Sequence, residues 1–310
     1  MTLAATDEAL SAELELGSGR TNQNLVATVN DGSGRRYFVR TGGDIPAYGV
    51  TRAREQAAGR AAAAAGIGPA VLFTSPDAMV TDFLPGKTLT DTELKAACAG
   101  TGDPNLLSQV AATLRKLHAA PAPAELGGLS ESSGWAPADM WRWLVQAEEA
   151  GYDRLPVVAD ARKLIVLLEE KAGSPSEPCF CHFDLLPDNL VRAPATTDND
   201  GKRTVSVIDF EYAGVGQRLL DLAIMSMGSD LEPDEEANLL AAYTGHAPTA
   251  ELKQSFSALK VLASLRETLW GVTAEVTRAS ALPMSEAVSY TDENWGKLVK
   301  YRAAFDEVQL

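Results

Sequence analysis

The chain has 310 residues, of which 45% are hydrophobic and 22% are charged. This composition is ordinary for a folded globular protein and excludes a disordered, collagen-like or coiled-coil chain. Forty-two acidic residues against 27 basic ones give a formal net charge of −15. Such a charge disfavours attraction to nucleic acid or to an anionic membrane surface, and it suits a cationic or metal-bound substrate better.

The cysteine content and the apolar runs bear on the compartment. Three cysteines are too few for a disulfide framework and fit a reducing environment. The N-terminal segment has no basic region followed by an apolar core, and no apolar run approaches the roughly 20 residues that span a bilayer. We therefore expect a cytoplasmic protein without a membrane or nucleic-acid partner, and the sequence leaves a homodimer open.

The first part of the chain reads as a small sheet that carries one helix. LVATVND and RRYFVRT (35–41) are β-prone segments joined through the turn sequence DGSG, which predicts a hairpin. Residues 51–65 are rich in strong helix formers and stop at GIGP. Two further short strands, near 70–74 and 78–82, complete the predicted sheet.

Beyond Pro85 the pattern becomes mainly helical. Apolar residues recur at spacings of three and four on one predicted helix face: Leu107, Val110, Leu114 and Leu117. Another helix is predicted over 159–171, and the chain from 219 onward is helical by pattern. Between them, residues 179–212 form a β-type interlude with a polar loop at 195–202, which predicts a second hairpin.

The most informative segment is HFDLLPDN (182–189), followed by Asp209 at the end of an apolar strand. The catalytic loop of protein kinases places a histidine, a base Asp, a Leu and a metal-binding Asn in this spacing, with a second metal-binding Asp further on. His182, Asp184 and Asn189 fill the corresponding positions. An acceptor hydroxyl needs a carboxylate within reach, and phosphates need hard oxygen ligands for magnesium.

The upstream half offers a phosphate cover and a cation in the matching order. Arg40 ends a strand where the kinase lysine would stand, and Glu55 lies on the next helix to pair with it. Compared with the kinase lysine, an arginine keeps the positive charge but carries it on a planar, forked guanidinium in place of a compact ammonium group. A glycine-containing turn precedes this strand and would cover the phosphates with backbone amides; its candidate residues are Ser18, Gly19, Arg20, Thr21 and Asn22.

Taken together, these motifs resemble the choline/ethanolamine kinase family, within the aminoglycoside-phosphotransferase-like group that shares the protein-kinase fold. The resemblance covers nearly the whole chain. It includes the glycine turn, Arg40, Glu55, GIGP, FLPG (83–86), HFDLLPDNL, VIDFEYAGVGQRLLDLA and LRETLWG.

The resemblance implies an α+β, two-lobed protein-kinase-like fold, with a nucleotide-binding lobe at 1–85 and a catalytic and substrate-binding lobe at 86–310. It implies ATP and Mg²⁺ as cofactors and a small-molecule alcohol as substrate. The implied roles are Asp184 as catalytic base, Asn189 and Asp209 as magnesium ligands, Arg40 and Glu55 as the phosphate clamp, Asp82 and Leu84 as nucleotide contacts near the hinge, and Asp221 as a brace of the catalytic loop.

The acceptor is predicted from fewer residues. A quaternary ammonium is recognised by aromatic faces and a nearby carboxylate; the candidates are Tyr212, Trp270 and Trp295 as faces, with Tyr290 and Tyr301 also available, and Asp184 or Glu211 as the charge. Eukaryotic members of the family resemble W-G-x-W in the late helix, whereas this chain reads WGVT at 270–273. The predicted acceptor is choline or a related amino alcohol such as ethanolamine; the departure at 273 favours the latter group, because it removes an aromatic face that a quaternary ammonium would use.

Other interpretations stay open. The same fold would serve an aminoglycoside, sugar or thiamine kinase, or a non-catalytic nucleotide-binding protein, although the base and both metal ligands are retained. A protein kinase is disfavoured because no Ala-Pro-Glu motif or long activation loop follows Asp209. In isolation, the glycine turn would be an ordinary hairpin turn and Trp270 a core residue.

Four further residues are assigned structural roles. We expect His182 to bond the backbone of its own loop and His118, near its helix end, to pack or hydrogen-bond locally. Cys179-x-Cys181-His182 resembles part of a metal motif, but a structural zinc site needs four ligands and Cys98 is distant in sequence. Buried strand cysteines are therefore the prediction.

Overall fold

The computed structural model describes residues 12–16, 23–127, 137–175, 177–194 and 204–309. Within them, short antiparallel strands and long helices form the α+β fold that the sequence predicts. The strands are β1 (Ala12–Leu16), β2 (Gln23–Val29), β3 (Arg36–Thr41), β4 (Val71–Ser75), β5 (Ala78–Asp82), β6 (Lys87–Thr88), β7 (Cys179–Cys181), β8 (Leu190–Arg192), β9 (Val205–Val207) and β10 (Gly214–Gly216). The helices are α1 (Arg52–Ala64), α2 (Asp91–Cys98), α3 (Leu106–Ala119), α4 (Ala138–Glu149), α5 (Val157–Ala172), α6 (Arg218–Gly228), α7 (Pro233–Thr244), α8 (Ala250–Thr277) and α9 (Met284–Gln309).

The N-terminal strands form one antiparallel sheet in the order β1-β2-β3-β5-β4. The predicted hairpin is confirmed as β2 and β3, with Asn24 opposite Arg40. Its turn is stabilised by the backbone N–H of Ser33, which donates to Asp31 Oδ1 at 2.8 Å. The sequence analysis missed the edge strand β1, because Ala, Glu and Leu are strong helix formers and give no β signal.

Helix α1 lies almost where the sequence predicts a helix. Its Ala58 and Ala62 are fully buried, since small side chains allow the helix to approach the core closely. Directly after the helix, the carbonyl of Ile67 accepts a hydrogen bond from the Val207 backbone N–H at 2.7 Å. This bond ties the end of α1 to β9 and so links the two parts of the chain.

Helix α8 forms the centre of the C-terminal part, and α4, α5, α6 and α9 pack around it. All of its residues from 258 to 274 are buried, as expected of a helix surrounded by others. A Cβ atom on Gly271 would lie 2.5 Å from Thr291 Oγ1, so glycine allows α9 to approach closely. In α3, Val110, Leu114 and Leu117 are fully buried as predicted, while Leu107 is half-buried at the edge of this face.

Two small sheets hold the segment 182–189 at both of its ends. β7 precedes it and pairs with β10, while β8 follows it and pairs with β6 and β9. The β8–β9 pair is the predicted second hairpin, whereas the pairing of β7 with β10 was not predicted. The polar loop predicted at 195–202 lies outside the described residues. The resulting anchorage fixes the position of Asp184 relative to the core.

No helix in the described ranges is both long and apolar enough to cross a membrane. The last strand of the five-stranded sheet in chain order, β5, ends at Asp82, and the division of the chain near residue 85 stays a prediction.

Candidate active site

A cavity of about 590 Å³ lies between the five-stranded sheet and the helical part, within the size range of small-ligand sites. Predicted residues from both halves line it, including Arg40, Glu55, Asp82, Leu84, Asp184, Asn189, Asp209, Glu211, Tyr212 and Trp270. Residues far apart in sequence thus meet in one place. The turn residues Ser18, Gly19, Arg20, Thr21 and Asn22 lie outside the described residues.

Asp221 stabilises the loop that carries Asp184. Its Oδ2 accepts from the backbone N–H of His182 and its Oδ1 from that of Phe183, each at 2.8 Å. Phe183 adopts a positive φ of 59°, and its ring packs where Cβ atoms on Gly214 and Gly216 would lie, at 2.9 and 2.5 Å. The two glycines of β10 therefore make room for the ring, and the loop keeps one conformation.

Two buried histidines help to hold the loop in place: His182 bonds to the backbone, and His118 bonds to Asp221. His182 Nδ1 accepts from the backbone N–H of Asp184 at 3.2 Å, which leaves Nε2 to donate to the Ile208 carbonyl at 2.9 Å. Burial lowers the pKa of His182, so the neutral ring suits this role, as predicted. His118 packs edge-on against Tyr243, with ring centroids 5.5 Å apart, but its hydrogen bonds are not local. Its Nε2 lies 3.0 Å from Asp221 Oδ2 and its Nδ1 lies 2.7 Å from Tyr243 Oη.

The candidate base and metal ligands lie side by side. Asn189 Nδ2 donates to the carbonyl of Asp184 at 2.7 Å and to its Oδ2 at 3.3 Å. An amide that donates through nitrogen keeps its oxygen as a ligand for a hard cation. Asp209 adopts a φ of 66° and keeps 31% of its side chain exposed. These two oxygen donors fit a magnesium ion, which favours carboxylate and carbonyl oxygen.

Arg40 connects the two halves of the site. Its guanidinium pairs with Glu55 through Nη1 and with Asp209 Oδ1 through Nη2, the latter at 2.6 Å. Burial acts to lower the pKa of Arg40, but the nearby carboxylates of Asp209 and Glu211 outweigh it and raise that pKa. Arg52, which sequence reasoning missed, donates from Nη1 to Glu55 Oε2 at 2.5 Å. Its position in the first turn of α1 gave no signal beyond an ordinary surface charge.

A second buried network lies on the helical side of the cavity, and the sequence analysis did not assign it. Arg266 donates to Asp139 Oδ2 at 2.9 Å and to Glu267 Oε1 at 2.8 Å. Tyr290 donates its hydroxyl to Glu267 Oε2 at 2.5 Å. The only sequence signal for this network is in LRETLWG (265–271). There, a pair of charged residues follows several apolar ones, in a helix that would bury both charges.

Aromatic rings surround this second network. Tyr48 stacks on Trp270 with ring centroids 5.0 Å apart, and Tyr290 meets the same ring edge-on at 5.0 Å. Trp270 Nε1 donates to Tyr212 Oη at 2.8 Å. The guanidinium of Arg266 lies 4.9 Å from the centre of the Tyr212 ring. An acceptor in this region would therefore meet rings and carboxylates together.

Not every predicted acceptor residue belongs to this group. Trp295 packs half-buried on α9 against the core and is absent from the described lining of the cavity. Tyr301 donates to Asp230 Oδ1 at 2.5 Å and is likewise absent from that lining. Glu211 lies 3.9 Å from Arg40 and 3.8 Å from Arg52, which puts it with the arginines of the sheet side.

The carboxyl of Asp184 has an electrostatic environment that differs from an ordinary aspartate. Burial raises its pKa, and the neighbouring carboxylate of Glu267 raises it further, while Arg266 opposes the rise. A general base with a raised pKa has a greater affinity for the proton it accepts. The second network therefore acts on the chemistry of Asp184 as well as on the shape of the cavity.

Two curated proteins of Arabidopsis thaliana are similar to the chain. One is named probable ethanolamine kinase and is 27% identical over 227 residues, which cover 70% of this chain and 56% of that protein. The other is named probable choline kinase 3 and is 29% identical over 167 residues, covering 51% and 41%. The chain thus spans about half the length of these relatives.

The fold is similar to that of a solved choline/ethanolamine kinase family protein from Mesorhizobium loti. The TM-score is 0.69 at 24% sequence identity, over 94% of this chain and 87% of that one. This likeness confirms the predicted kinase-like fold.

A comparison of the chain with models of protein families agrees with the kinase-like set of residues in the site. Residues 14–252 match the family described as "Phosphotransferase enzyme family". The matched range extends from the first strand of the sheet into α8 and includes Arg40, Asp184, Asn189 and Asp209. Because it covers more than half of the 310 residues, the chain belongs to this phosphotransferase family.

Proposed function

We propose that the protein transfers the γ-phosphate of ATP, with Mg²⁺, to the hydroxyl of a small amino alcohol such as choline or ethanolamine. The observation that carries the proposal is that Asp184, Asn189, Asp209 and Arg40 all line one cavity, with Arg40 paired to Asp209. Phosphoryl transfer depends mainly on positioning and charge neutralisation, which this set supplies. The names of the two curated relatives support the same acceptor class.

On the sheet side, the residues bind and orient the nucleotide. Arg40 presents a buried guanidinium whose orientation is fixed by Glu55, and an arginine fork suits phosphate oxygens. Asp82 and Leu84, at the end of β5 and just beyond it, line the cavity and would contact the base. The turn at 17–22 is proposed to cover the phosphates with its backbone amides.

Asn189 and Asp209 would hold magnesium through the amide oxygen and the carboxylate. When bound, magnesium neutralises charge on the phosphates and keeps them in line with the acceptor. Because Arg40 pairs with Asp209 at 2.6 Å, the guanidinium also keeps this carboxylate oriented toward the cavity.

Asp184 would accept the proton of the acceptor hydroxyl. Asn189 orients its carboxylate through the 3.3 Å contact to Oδ2, and Asp221 fixes the backbone on which it sits. The raised pKa of Asp184 makes it a stronger base than a solvent-exposed aspartate once it is ionised. The proton therefore moves from the hydroxyl to the Asp184 carboxylate as the hydroxyl oxygen forms its bond to the γ-phosphorus. The bond from that phosphorus to the β–γ bridging oxygen breaks, and ADP leaves.

A cationic acceptor fits the helical side of the cavity. The carboxyl groups of Asp184 and Glu267 lie there, and Trp270, Tyr290 and Tyr212 provide rings. Cation–π contacts stabilise an ammonium by about 0.5–2 kcal/mol each. The positive charge of an ammonium strengthens both kinds of contact and a neutral sugar lacks it, so the residues favour a cationic acceptor such as an amino alcohol.

The test is magnesium-dependent ATP consumption with choline, ethanolamine, thiamine, sugars and aminoglycosides as separate acceptors. We expect turnover with an amino alcohol and a loss of about 10²- to 10⁴-fold in Asp184→Asn. The control is Asp160→Asn, an exposed carboxylate on α5, which should keep full activity. Turnover only with a sugar or an aminoglycoside would contradict the acceptor, and ATP binding without any turnover would contradict the enzyme assignment.

A further inference from the structure

Two of the three cysteines lie next to each other on β7, outside the cavity. Cys179 and Cys181 alternate with Phe180 and therefore share one face of the strand. Their Sγ atoms are 3.7 Å apart, and neither forms a disulfide. Cys181 is fully buried and Cys179 is half-buried, so the pair is reachable from one side. The catalytic loop begins at the next residue of the chain.

The fold brings two more donor groups to this pair. The ligand atoms of His118, Cys181 and Asp221 all lie within 4.8 Å of one another. His118 comes from α3 and Asp221 from α6, so their positions in the sequence do not indicate that they meet the cysteines. The imidazole Nε2 of His118 and Oδ2 of Asp221 are 3.0 Å apart. Cys179 lies outside this 4.8 Å group and adjoins it through its Sγ, 3.7 Å from that of Cys181. A turn of its side chain toward His118 and Asp221 would give a set of two sulfur, one nitrogen and one oxygen donor.

The spacing of the two sulfur atoms fits a thiophilic cation that both thiolates bind. Two thiolates bound to zinc at about 2.3 Å in a tetrahedron lie roughly 3.8 Å apart, close to the 3.7 Å between Cys179 and Cys181. Metal-bound histidines are usually oriented through their other ring nitrogen. His118 has this arrangement already, because its Nδ1 lies 2.7 Å from the Tyr243 hydroxyl.

We propose that Cys179, Cys181, His118 and Asp221 form a binding site for a thiophilic divalent cation such as Zn²⁺. The cation would take the place of the proton that His118 shares with Asp221. That proton moves to Nδ1 of His118, where Tyr243 Oη accepts it, and the two thiol protons pass to solvent. A structural zinc site needs four ligands, and the sequence motif offered too few. His118 of α3 and Asp221 of α6 would supply the two ligands that the cysteines of β7 lack.

Binding at this site would reach the catalytic loop through Asp221. This carboxylate accepts the backbone N–H groups of His182 and Phe183 at 2.8 Å each. A cation that draws Oδ2 toward itself weakens the first of these bonds and shifts the segment that carries Asp184. The expected consequence is inhibition of phosphotransfer by zinc, which rests on the proposed function, while the binding itself does not.

The binding test uses Co²⁺ and Zn²⁺ with the purified full-length chain in the presence of excess Mg²⁺. We expect one equivalent of Co²⁺ to give a thiolate-to-metal absorption band that Zn²⁺ abolishes by displacement. Cys179→Ser should lose the band and weaken binding at least tenfold. Cys98→Ser changes the third cysteine, which is buried on α2, and should bind as the wild type does.

Cys181→Ser provides a second variant with the same expected loss, and circular dichroism reports whether each variant is folded. Retention of the cobalt band in both folded variants would overturn the proposal. So would zinc binding that is stoichiometric but gives no thiolate band with cobalt.

Activity supplies the second readout. We expect Zn²⁺ to lower kcat in the wild type and in Cys98→Ser, without competition from Mg²⁺, and to have little effect on Cys179→Ser. Equal inhibition of Cys179→Ser would mean that zinc acts at the magnesium ligands instead, which contradicts the proposed coupling. If the wild type turns over no acceptor, the proposed function fails, and the cobalt measurement still decides whether the metal site exists.

Discussion

The cavity is flanked by two buried arginines that have similar partners and different surroundings. Arg40 pairs with Glu55 and Asp209, whereas Arg266 pairs with Asp139 and Glu267. The first guanidinium bridges the sheet and the helical part, and one of its partners, Asp209, is 31% exposed. The second lies wholly within the helical part, where rings of Trp143 and Tyr212 lie over it.

This difference separates a binding function from a structural one. A carboxylate that is partly exposed can exchange partners with water, metal or phosphate at small cost, so the Arg40 cluster can take part in each catalytic cycle. A buried pair enclosed by aromatic rings cannot exchange partners without exposing a charge to an apolar environment. We therefore propose that Arg40 binds nucleotide and that Arg266 belongs to the framework of the acceptor side.

The largest expected effect is on stability, from Arg266→Met. Removal of this cation leaves Asp139 and Glu267 close together without their partner, and breaking a buried pair costs about 3–5 kcal/mol. Chemical denaturation should show this loss. Arg302→Met, which removes an arginine that is 45% exposed on α9, should change the free energy of unfolding by less than about 0.5 kcal/mol. A loss no larger than that of the control would remove the assignment of Arg266 to the framework.

We expect Arg40→Met to lower activity with ATP strongly and stability only slightly, the reverse of Arg266→Met. Glu55 keeps the bond from Arg52 at 2.5 Å and Asp209 is partly solvated, so the loss of stability should be smaller than in Arg266→Met. Loss of a preorganised cation at the phosphates should lower kcat/KM for ATP on the order of 10²-fold. Steady-state kinetics and denaturation together give the two numbers.

The matched control for Arg40→Met is Arg60→Met, which removes an exposed arginine of α1 and should leave both values unchanged. If Arg40→Met instead destabilised the protein more than Arg266→Met without an effect on ATP, the two roles would be reversed.

Trp270→Phe tests what a single hydrogen bond contributes on the acceptor side of the cavity. The change removes the bond from Nε1 to Tyr212 Oη, worth about 1 kcal/mol, and keeps a ring beside Tyr48. We expect KM for the amino alcohol to rise roughly fivefold, with KM for ATP unchanged. Trp295→Phe alters a tryptophan that does not belong to the described cavity lining and should leave both constants at their wild-type values; a rise there would put Trp295 in the acceptor site.

The smallest expected effect is a shift of the pH profile in Glu267→Gln. Asp184 works as a base only when ionised, so kcat/KM falls as the pH drops through its raised pKa. Glu267 raises that pKa, and its neutralisation should move the acid limb to lower pH, by up to about one pH unit. Glu286→Gln, exposed on α9, should leave the limb in place, and a shift toward higher pH would contradict the assigned coupling.

The parts of the site that were predictable are those whose spacing is fixed along the chain. HFDLLPDN (182–189) could be recognised because a loop between two short strands sets the distances among its own side chains, and Asp209 because it lies just beyond β9, the strand that pairs with β8. Arg40 and Glu55 were recognisable for the same reason, on consecutive elements. Arg266, Glu267 and Tyr48 could not be found, because their signals are a charged pair inside a long helix and a tyrosine in a short turn.

The sequence by itself determined the α+β organisation, the two hairpins, the helix faces and the order of the kinase-like motifs, because these depend on local periodicity and short-range spacing. Only the tertiary structure decided which charges face each other. It brought Asp209 to Arg40, put Trp270 in the cavity and Trp295 outside the described lining, and joined His118 and Asp221 to the cysteines of β7. Such contacts depend on how α3, α6, α8 and α9 pack, which no local pattern encodes.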